Sequence, residues 1–294
     1  MFKIIKFSDK LEELISQNAQ LEKLTTGYVW SEGPIWDEST KSLYYTDFSQ
    51  NEIYRWTEKD GVKVHRKNSA SACGLAFDKE NRILCAESIT RSVTRIEKDG
   101  SITTVASHYN GKRLNSPNDI IVKSDGTIYF TDPHSKDTGN IKELDVNGVY
   151  KLSKAGNLTL LAQLNRPNGL AFSPDEKKLY VDDTNLQLIQ VYDIKYDGTL
   201  ENSRLFAKID TSFGHGAADG LKLDCLGNVY VTGPGGISIF SPEGELLGLL
   251  KTPEIAANLC FGSDDMQTLY ITAQSSVYRI HTEVKGLKNS SQAG

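Results

Sequence analysis

The sequence predicts an all-β fold, a six-bladed β-propeller. A turn residue, a strand, a tight turn and a second strand recur six times along the chain of 294 residues. The recurrence interval is about 40 to 50 residues, which is the length of one four-stranded propeller blade. Because the repeat fills most of the chain, we expect a single closed domain. The repeated segments are SEGPIWDESTKSLYYTD, ACGLAFDKENRILCAES, SPNDIIVKSDGTIYFTDP, RPNGLAFSPDEKKLYVDDT, ADGLKLDCLGNVYVTGP and ANLCFGSDDMQTLYITA.

Each of the first five repeats continues with a third and a fourth strand. A glycine stands between these two strands, and glycine supplies the positive φ that tight hairpin turns require. The segments therefore predict β-hairpins. The glycines are Gly61, Gly100, Gly156, Gly198 and Gly244.

The sixth repeat has no convincing fourth strand of its own. Residues 21–26, LEKLTT, have the length and pattern of an outer strand and precede the first repeat. We expect them to complete the last blade, which would join the two ends of the ring and cover an exposed sheet edge. Residues 8–19 predict a short amphipathic helix, opened by Ser8 and lying outside the ring. On this basis residues 1–20 form an N-terminal helical extension and residues 21–294 form the propeller domain.

Composition excludes several classes of partner. The net charge is −5 and the basic residues are dispersed, so we expect no nucleic-acid partner. No apolar run is long enough for a membrane span or a secretory signal, so we expect no membrane partner. The four cysteines lack CxxC spacing and are expected to be buried free thiols. These features favour a cytoplasmic protein, and they leave the oligomeric state open.

Aligned on one another, the repeats place six residues at one equivalent position. These are Glu32, Cys73, Asn118, Asn168, Asp219 and Ala257. Turn propensity alone would account for Asn-Gly and Asp-Gly pairs, but not for a glutamate. If the position faces the propeller axis, two carboxylates and two amides converge there, and a cation between them would relieve their repulsion. Oxygen-only donors suit a hard ion. We therefore predict one divalent cation on Glu32, Asn118, Asn168 and Asp219, with Ca²⁺ favoured over Mg²⁺ or Zn²⁺.

A second equivalent position closes the second strand of each repeat. It carries Asp47, Glu87, Asp132, Asp183, Gly233 and Ala273. Its acids are expected to accept hydrogen bonds from inter-blade backbone, with direct metal ligation as the alternative. His134 and His215 lie in loops that could face the same channel mouth. They are either surface histidines or proton shuttles, and with Asn118 they are the predicted substrate-binding residues.

Several motifs in order resemble the SMP-30/gluconolactonase/LRE-like family of six-bladed propellers, over residues 22–281. They are SEGPIW, YNGKRLNSPNDIIVKSDGTIYFTDP, RPNGLAFSPDEKKLYV, ADGLKLDCLGNVYV and LYIT. The resemblance implies a metal-dependent lactonase whose ion is held by the same four donors found by internal alignment.

It also implies that Asp219 is the catalytic general base, with a metal-bound hydroxide as the alternative. The expected reaction is hydrolytic opening of a sugar-type lactone, a small-molecule substrate. The alternatives are an organophosphate or other ester hydrolase on the same scaffold, and a non-catalytic calcium-binding interaction propeller.

Overall fold

A computed structural model shows the predicted six-bladed β-propeller. It describes residues 1–135, 139 and 141–288. Strands β1 (Lys3–Lys6) and β2 (Glu22–Thr26) precede the first repeat. A 3-10 helix, Asp9–Glu13, lies between them, and a second one, Thr211–Phe213, lies between blades 4 and 5. No helix among the described residues is long and apolar enough to cross a bilayer.

The six blades are antiparallel sheets that run from the inner strand outward in chain order. Blade 1 contains β3 (Ser31–Asp37), β4 (Ser42–Asp47), β5 (Glu52–Thr57) and β6 (Gly61–Lys67); blade 2 contains β7 (Ala72–Phe77), β8 (Ile83–Glu87), β9 (Ser92–Ile96) and β10 (Ile102–Ala106). A hairpin, β11 (His108–Tyr109) and β12 (Lys112–Arg113), separates blades 2 and 3. Blade 3 contains β13 (Ile120–Val122), β14 (Ile128–Asp132), β15 (Asn147–Leu152) and β16 (Leu158–Leu164); blade 4 contains β17 (Pro167–Phe172), β18 (Lys178–Asp183), β19 (Leu188–Ile194) and β20 (Leu200–Lys208). Blade 5 contains β21 (Leu221–Leu223), β22 (Val229–Gly233), β23 (Gly236–Phe240) and β24 (Leu246–Lys251); blade 6 contains β25 (Ala256–Gly262), β26 (Thr268–Ala273) and β27 (Ser276–His281).

The N-terminal strand closes the ring, as the sequence predicted. Strand β2 pairs antiparallel with β27 and becomes the outer strand of blade 6, with Glu22 opposite Arg279. The ring is also closed by side chains, since Trp36 of blade 1 stacks on Tyr270 of blade 6 with 5.3 Å between ring centroids. Blade 6 therefore combines a strand that precedes the first repeat with the three strands of the last repeat. The five hairpin glycines all have positive φ, also as predicted.

The predicted helix over residues 8–19 is wrong in type and length. The structure has a five-residue 3-10 helix, and Ser8 makes no side-chain cap. The backbone amides of Phe7 and Ser8 both donate to the carbonyl of Leu247, so the edge of blade 5 fixes the chain immediately before the helix. Strand β1, which the sequence did not predict, extends blade 5 by pairing with β24. This segment is thus packed on the propeller.

Aromatic pairs join neighbouring blades. Tyr44 meets Phe77 between blades 1 and 2, and Tyr129 meets Phe172 between blades 3 and 4. Such edge-to-face pairs add to the stabilisation from burial itself. Cys73, Cys85 and Cys260 are buried free thiols as expected, whereas Cys225 is exposed.

Candidate active site

The residues that start the inner strands converge at one end of the central channel. Glu32, Asn118, Asn168 and Asp219, the four predicted oxygen donors, line one cavity of ≈ 360 Å³. Cys73 lines it as well, at the equivalent position of blade 2. Internal alignment therefore selected side chains that meet in space.

Backbone hydrogen bonds between neighbouring blades fix the level of these donors. The amides of Gly74, Gly169 and Gly220 donate to the carbonyl oxygens of Asn118, Asp219 and Ala257, at 2.7, 2.7 and 2.8 Å. The backbone carbonyls of Asn118 and Asp219, and that of Ala257 at the equivalent position, are thus each tied to a glycine of the preceding blade. This arrangement holds the donors in one tier around the axis.

The glycine after a donor is required for close approach and not for a turn. A Cβ at Gly169 would lie 2.2 Å from the Asp219 carbonyl oxygen, and one at Gly220 would lie 2.3 Å from Asn258 Oδ1. Neither glycine has a positive φ, so conformational freedom is not the reason for glycine here. The Asn-Gly and Asp-Gly pairs therefore mark inter-blade packing at the channel.

Threonines of the second strands reinforce the same tier. The hydroxyls of Thr131 and Thr232 donate to the carbonyls of Asn168 and Ala257, both at 2.8 Å. Thr184 accepts a hydrogen bond from the Asn168 side-chain amide at 3.1 Å. This contact holds the Asn168 side chain in one orientation beside the channel.

The acids at the second equivalent position act as backbone acceptors. Asp183 accepts from the amides of Asn165 and Arg166, and Asp132 accepts from those of Asn115 and Ser116. The expected hydrogen-bonding role is confirmed, but the amides belong to the loop that enters the same blade, not a neighbouring one. Glu87 differs, because it is paired with Arg66 at 2.8 Å.

The electrostatics of the channel favour a bound cation. Glu32 is almost completely buried, and burial, followed by the charge of Asp119, raises its pKa to about 7. Burial and then the Glu32 and Asp182 charges raise the pKa of Asp219 well above its ordinary value. Lys222 lies beside this cluster of acids, with its Nζ 3.5 Å from Asp119 Oδ2. One lysine does not offset four carboxylates, of which Glu32, Asp119 and Asp182 are buried and Asp219 is half-buried.

The donor chemistry fits a hard divalent cation. The Asn118 Oδ1 atom is buried and lacks a hydrogen-bond partner within the described part of the chain. Buried carbonyl oxygens are normally satisfied, so an unpaired one in a cavity that Glu32 and Asp219 also line is suited to be a metal ligand. Glu32, Asn118, Asn168 and Asp219 are the residues that would hold the ion.

Asp182 is a buried acid that the sequence analysis missed. It is fully buried, and both of its carboxylate oxygens lack a hydrogen-bond partner among the described residues. Burial and the charge of Asp119 raise its pKa well above the ordinary value. The residue equivalent to Asp182 is a threonine in other blades, namely Thr46, Thr131 and Thr232. An aspartate at a position that usually carries threonine was the feature of the sequence that could have identified it.

The two predicted histidines are placed differently. His134 follows Pro133 and precedes Ser135, which both line the cavity, and its amide donates to Asn147 at 2.9 Å. His215 lines a neighbouring cavity of ≈ 390 Å³ together with Phe213 and Glu254. The described residues that line the donor cavity do not include His215.

We expect replacement of Glu32 by glutamine to stabilise the metal-free protein at neutral pH. The pKa of Glu32 is raised from 4.5 to about 7, so the folded state favours its neutral form. The stability that this gives is full below pH 4.5 and is lost as pH rises toward 7. Glu32→Gln should therefore exceed the wild type by about 2 to 3 kcal/mol at pH 8, and by little at pH 5.

Urea unfolding in the presence of a chelator measures this difference directly. Added Ca²⁺ should reverse the order at pH 8, because it stabilises only the protein with both ring carboxylates. A pH-independent gap between the two proteins would contradict the assignment of Glu32 as a buried, ionising ring member.

Comparison with known proteins places the chain among propeller lactonases. Residues 30–275 match the family model described as SMP-30/Gluconolactonase/LRE-like region. The chain is 36% identical to a gluconolactonase of Zymomonas mobilis, over 97% of this chain and 87% of that protein. It is 22% identical to the pentonolactonase XacC of Haloferax volcanii, over 82% of this chain and 80% of that one. The solved structure of XC5397 from Xanthomonas campestris, described as a gluconolactonase, superposes with a TM-score of 0.88 at 33% identity, over 95% of each chain.

Proposed function

Because the chain belongs to the SMP-30/gluconolactonase/LRE-like family, we propose that it is a metal-dependent hydrolase that opens a sugar-type lactone. One observation carries the proposal: four oxygen donors from blades 1, 3, 4 and 5 meet in a single cavity. A volume of ≈ 360 Å³ is within the range of small-molecule sites. An aldonolactone is the substrate class that we propose for it.

A divalent cation on Glu32, Asn118, Asn168 and Asp219 would supply Lewis acidity toward the lactone carbonyl. Oxygen-only donors favour Ca²⁺, with Mg²⁺ or Zn²⁺ as alternatives. Thr184 orients Asn168, and the Gly33 amide donates to Glu32 Oε2 at 3.0 Å, so these two ligands are held in place before substrate binds. Such preorganisation lowers the cost of reorganisation during the reaction.

Asp219 is the proposed general base. Its carboxylate would accept a proton from the attacking water as the water oxygen bonds to the carbonyl carbon. The ring ester bond then breaks, and the same proton passes to the departing ring oxygen, which becomes a hydroxyl group. The product is an open-chain hydroxy acid. The Asn118 side chain and the loop of His134 would contact the substrate; the sequence proposed a similar role for His215.

Acid release from a panel of lactones tests the proposal. The panel contains aldono-1,5- and 1,4-lactones, an aryl ester and a phosphotriester, each assayed with chelated protein and after restoring Ca²⁺, Mg²⁺, Mn²⁺ or Zn²⁺. We expect aldonolactones to react fastest and only with a cation. Faster phosphotriester hydrolysis would favour an organophosphate hydrolase. No turnover, together with a Ca²⁺-dependent rise in Tm, would favour a binding propeller. The cytoplasmic location expected from the sequence stays a prediction.

A further inference from the structure

The ring position of blade 2 carries a thiol and not an oxygen. Cys73 stands at the position that the four oxygen donors occupy in other blades, and it lines the same cavity. All four cysteines lie in the described part of the chain, and the other three do not line this cavity. The ring therefore contains one soft donor atom beside its hard oxygens.

The backbone of Cys73 is held in the same tier as the donors. The hydroxyl of Thr46 donates to the Cys73 carbonyl at 3.0 Å, and Thr131 makes the same kind of bond to Asn168. A Cβ at Gly33 would lie 1.9 Å from the Cys73 carbonyl oxygen, so blade 1 packs directly against this residue. The main chain of Cys73 is therefore fixed at the level of the ring.

The thiol of Cys73 lies beside the two acids of the ring. It donates a hydrogen bond to Glu32. Burial, and then the charges of Glu32 and Asp219, raise the pKa of this thiol well above its ordinary value. Because charge effects weaken with distance, the influence of both carboxylates indicates that the sulfur is near each of them.

Packing alone does not require sulfur at this position. Ala257 occupies the equivalent position of blade 6 and is fully buried, so a methyl group is enough to fill such a site. A second observation points to a cation. The Asn118 Oδ1 atom, in the same cavity, is buried and has no hydrogen-bond partner among the described residues. Cys73 thus shares the cavity with two carboxylates and one unpaired carbonyl oxygen.

We propose that Cys73 is a fifth ligand of the ring, and that its sulfur binds a thiophilic divalent cation such as Zn²⁺ or Cd²⁺. Such ions accept thiolate and carboxylate ligands together, whereas Ca²⁺ takes oxygen ligands and leaves the thiol unused. The thiol proton passes to solvent as the sulfur bonds the ion. This inference rests on the proposed function only because that function places a cation at the ring. A thiophilic ion and Ca²⁺ then compete for one site.

Titration of the chelated protein with Cd²⁺ tests the assignment, because a cadmium–thiolate bond absorbs in the ultraviolet and cadmium held by oxygens does not. We expect the wild type to develop this absorption as one ion binds, with an apparent Cd²⁺ affinity that falls as Ca²⁺ is added. Cys73→Ser should remove the absorption. It should also weaken Cd²⁺ binding by about 10-fold or more while Ca²⁺ affinity, measured by calorimetry, stays within about 3-fold.

Cys225→Ser is the matched control, because Cys225 is the exposed cysteine and the one most open to stray Cd²⁺. This variant should keep the absorption and the wild-type affinities. If circular dichroism shows that Cys73→Ser does not fold, Cys73→Ala takes its place, since Ala257 is tolerated at the equivalent position. Absorption that persists without Cys73, or a Cd²⁺ affinity that does not respond to Ca²⁺, would overturn the proposal.

The two proposals fail separately. Absence of lactone turnover with every ion would overturn the proposed function, but the Cd²⁺ titration would still report on the ring, because it measures binding and not the reaction. Ca²⁺-dependent turnover in a protein that develops no cadmium–thiolate absorption would overturn the role of Cys73 alone.

Discussion

Replacing Asp219 by asparagine is expected to lower kcat for an aldonolactone by about 10³-fold or more, with the propeller still folded. The change removes the proposed general base and one charge of the metal ring, and each of these contributes substantially to catalysis. The fold should persist because the structural contacts of Asp219 are made by its backbone. Its carbonyl accepts from Gly169 and its amide donates to Thr232.

Rates at saturating Ca²⁺, with circular dichroism of the same samples, check this prediction. Asp197→Asn changes an exposed turn carboxylate and should retain full activity. Calorimetry of Ca²⁺ binding then shows whether activity is lost through weaker metal binding or through the missing general base. A variant that binds Ca²⁺ as tightly as the wild type but does not turn over has lost its base. More than about a tenth of wild-type activity in Asp219→Asn would contradict its assignment.

Replacing Leu11 by alanine is expected to destabilise the protein by about 3 to 5 kcal/mol. Leu11 is fully buried, and a methyl group added at Gly248 would lie 2.4 Å from its Cδ2 atom. It packs with Leu14 and Ile15 in the core cluster that joins blades 5, 6 and 1. Deleting a buried leucine at a closely packed position costs transfer free energy and leaves a cavity.

Equilibrium urea unfolding gives the size of this effect. Glu13→Ala changes an exposed residue of the same 3-10 helix and should stay within about 0.5 kcal/mol of the wild type. A loss below about 1 kcal/mol for Leu11→Ala would show that the N-terminal segment is not part of the folded core. That result would support the prediction that residues 1–20 form a separate extension.

The number of blades and the donor positions were predictable because one segment of turn, strand, tight turn and strand recurs six times with matching residue types. One alignment of six segments was enough to place Glu32, Asn118, Asn168 and Asp219 at one level. The closing strand β2 was predictable because the sixth repeat lacks a fourth strand of its own. These predictions depend on local pattern and on the rule that sheet edges are covered.

The remaining features depend on tertiary context. The run of four residues in β1 is too short to identify, and its pairing depends on the free edge of β24. The helix predicted over 8–19 is a shorter 3-10 helix, because the Phe7 and Ser8 amides at one end donate to Leu247 of blade 5 and the Leu14 carbonyl at the other accepts from the Glu283 amide. Asp182 differs from the threonine found at its position in most other blades, and such a departure has meaning only when the direction of the side chain is known.

We propose that one divalent cation on the ring of four oxygen donors makes this propeller a lactonase. Its most direct test is turnover of glucono-1,5-lactone by exhaustively chelated protein during stepwise addition of Ca²⁺, with binding followed by calorimetry in parallel. We predict negligible enzymatic turnover without the ion, and a rise that saturates when one ion is bound per chain. Full turnover in the chelated protein, or Ca²⁺ binding without any turnover, would contradict the claim.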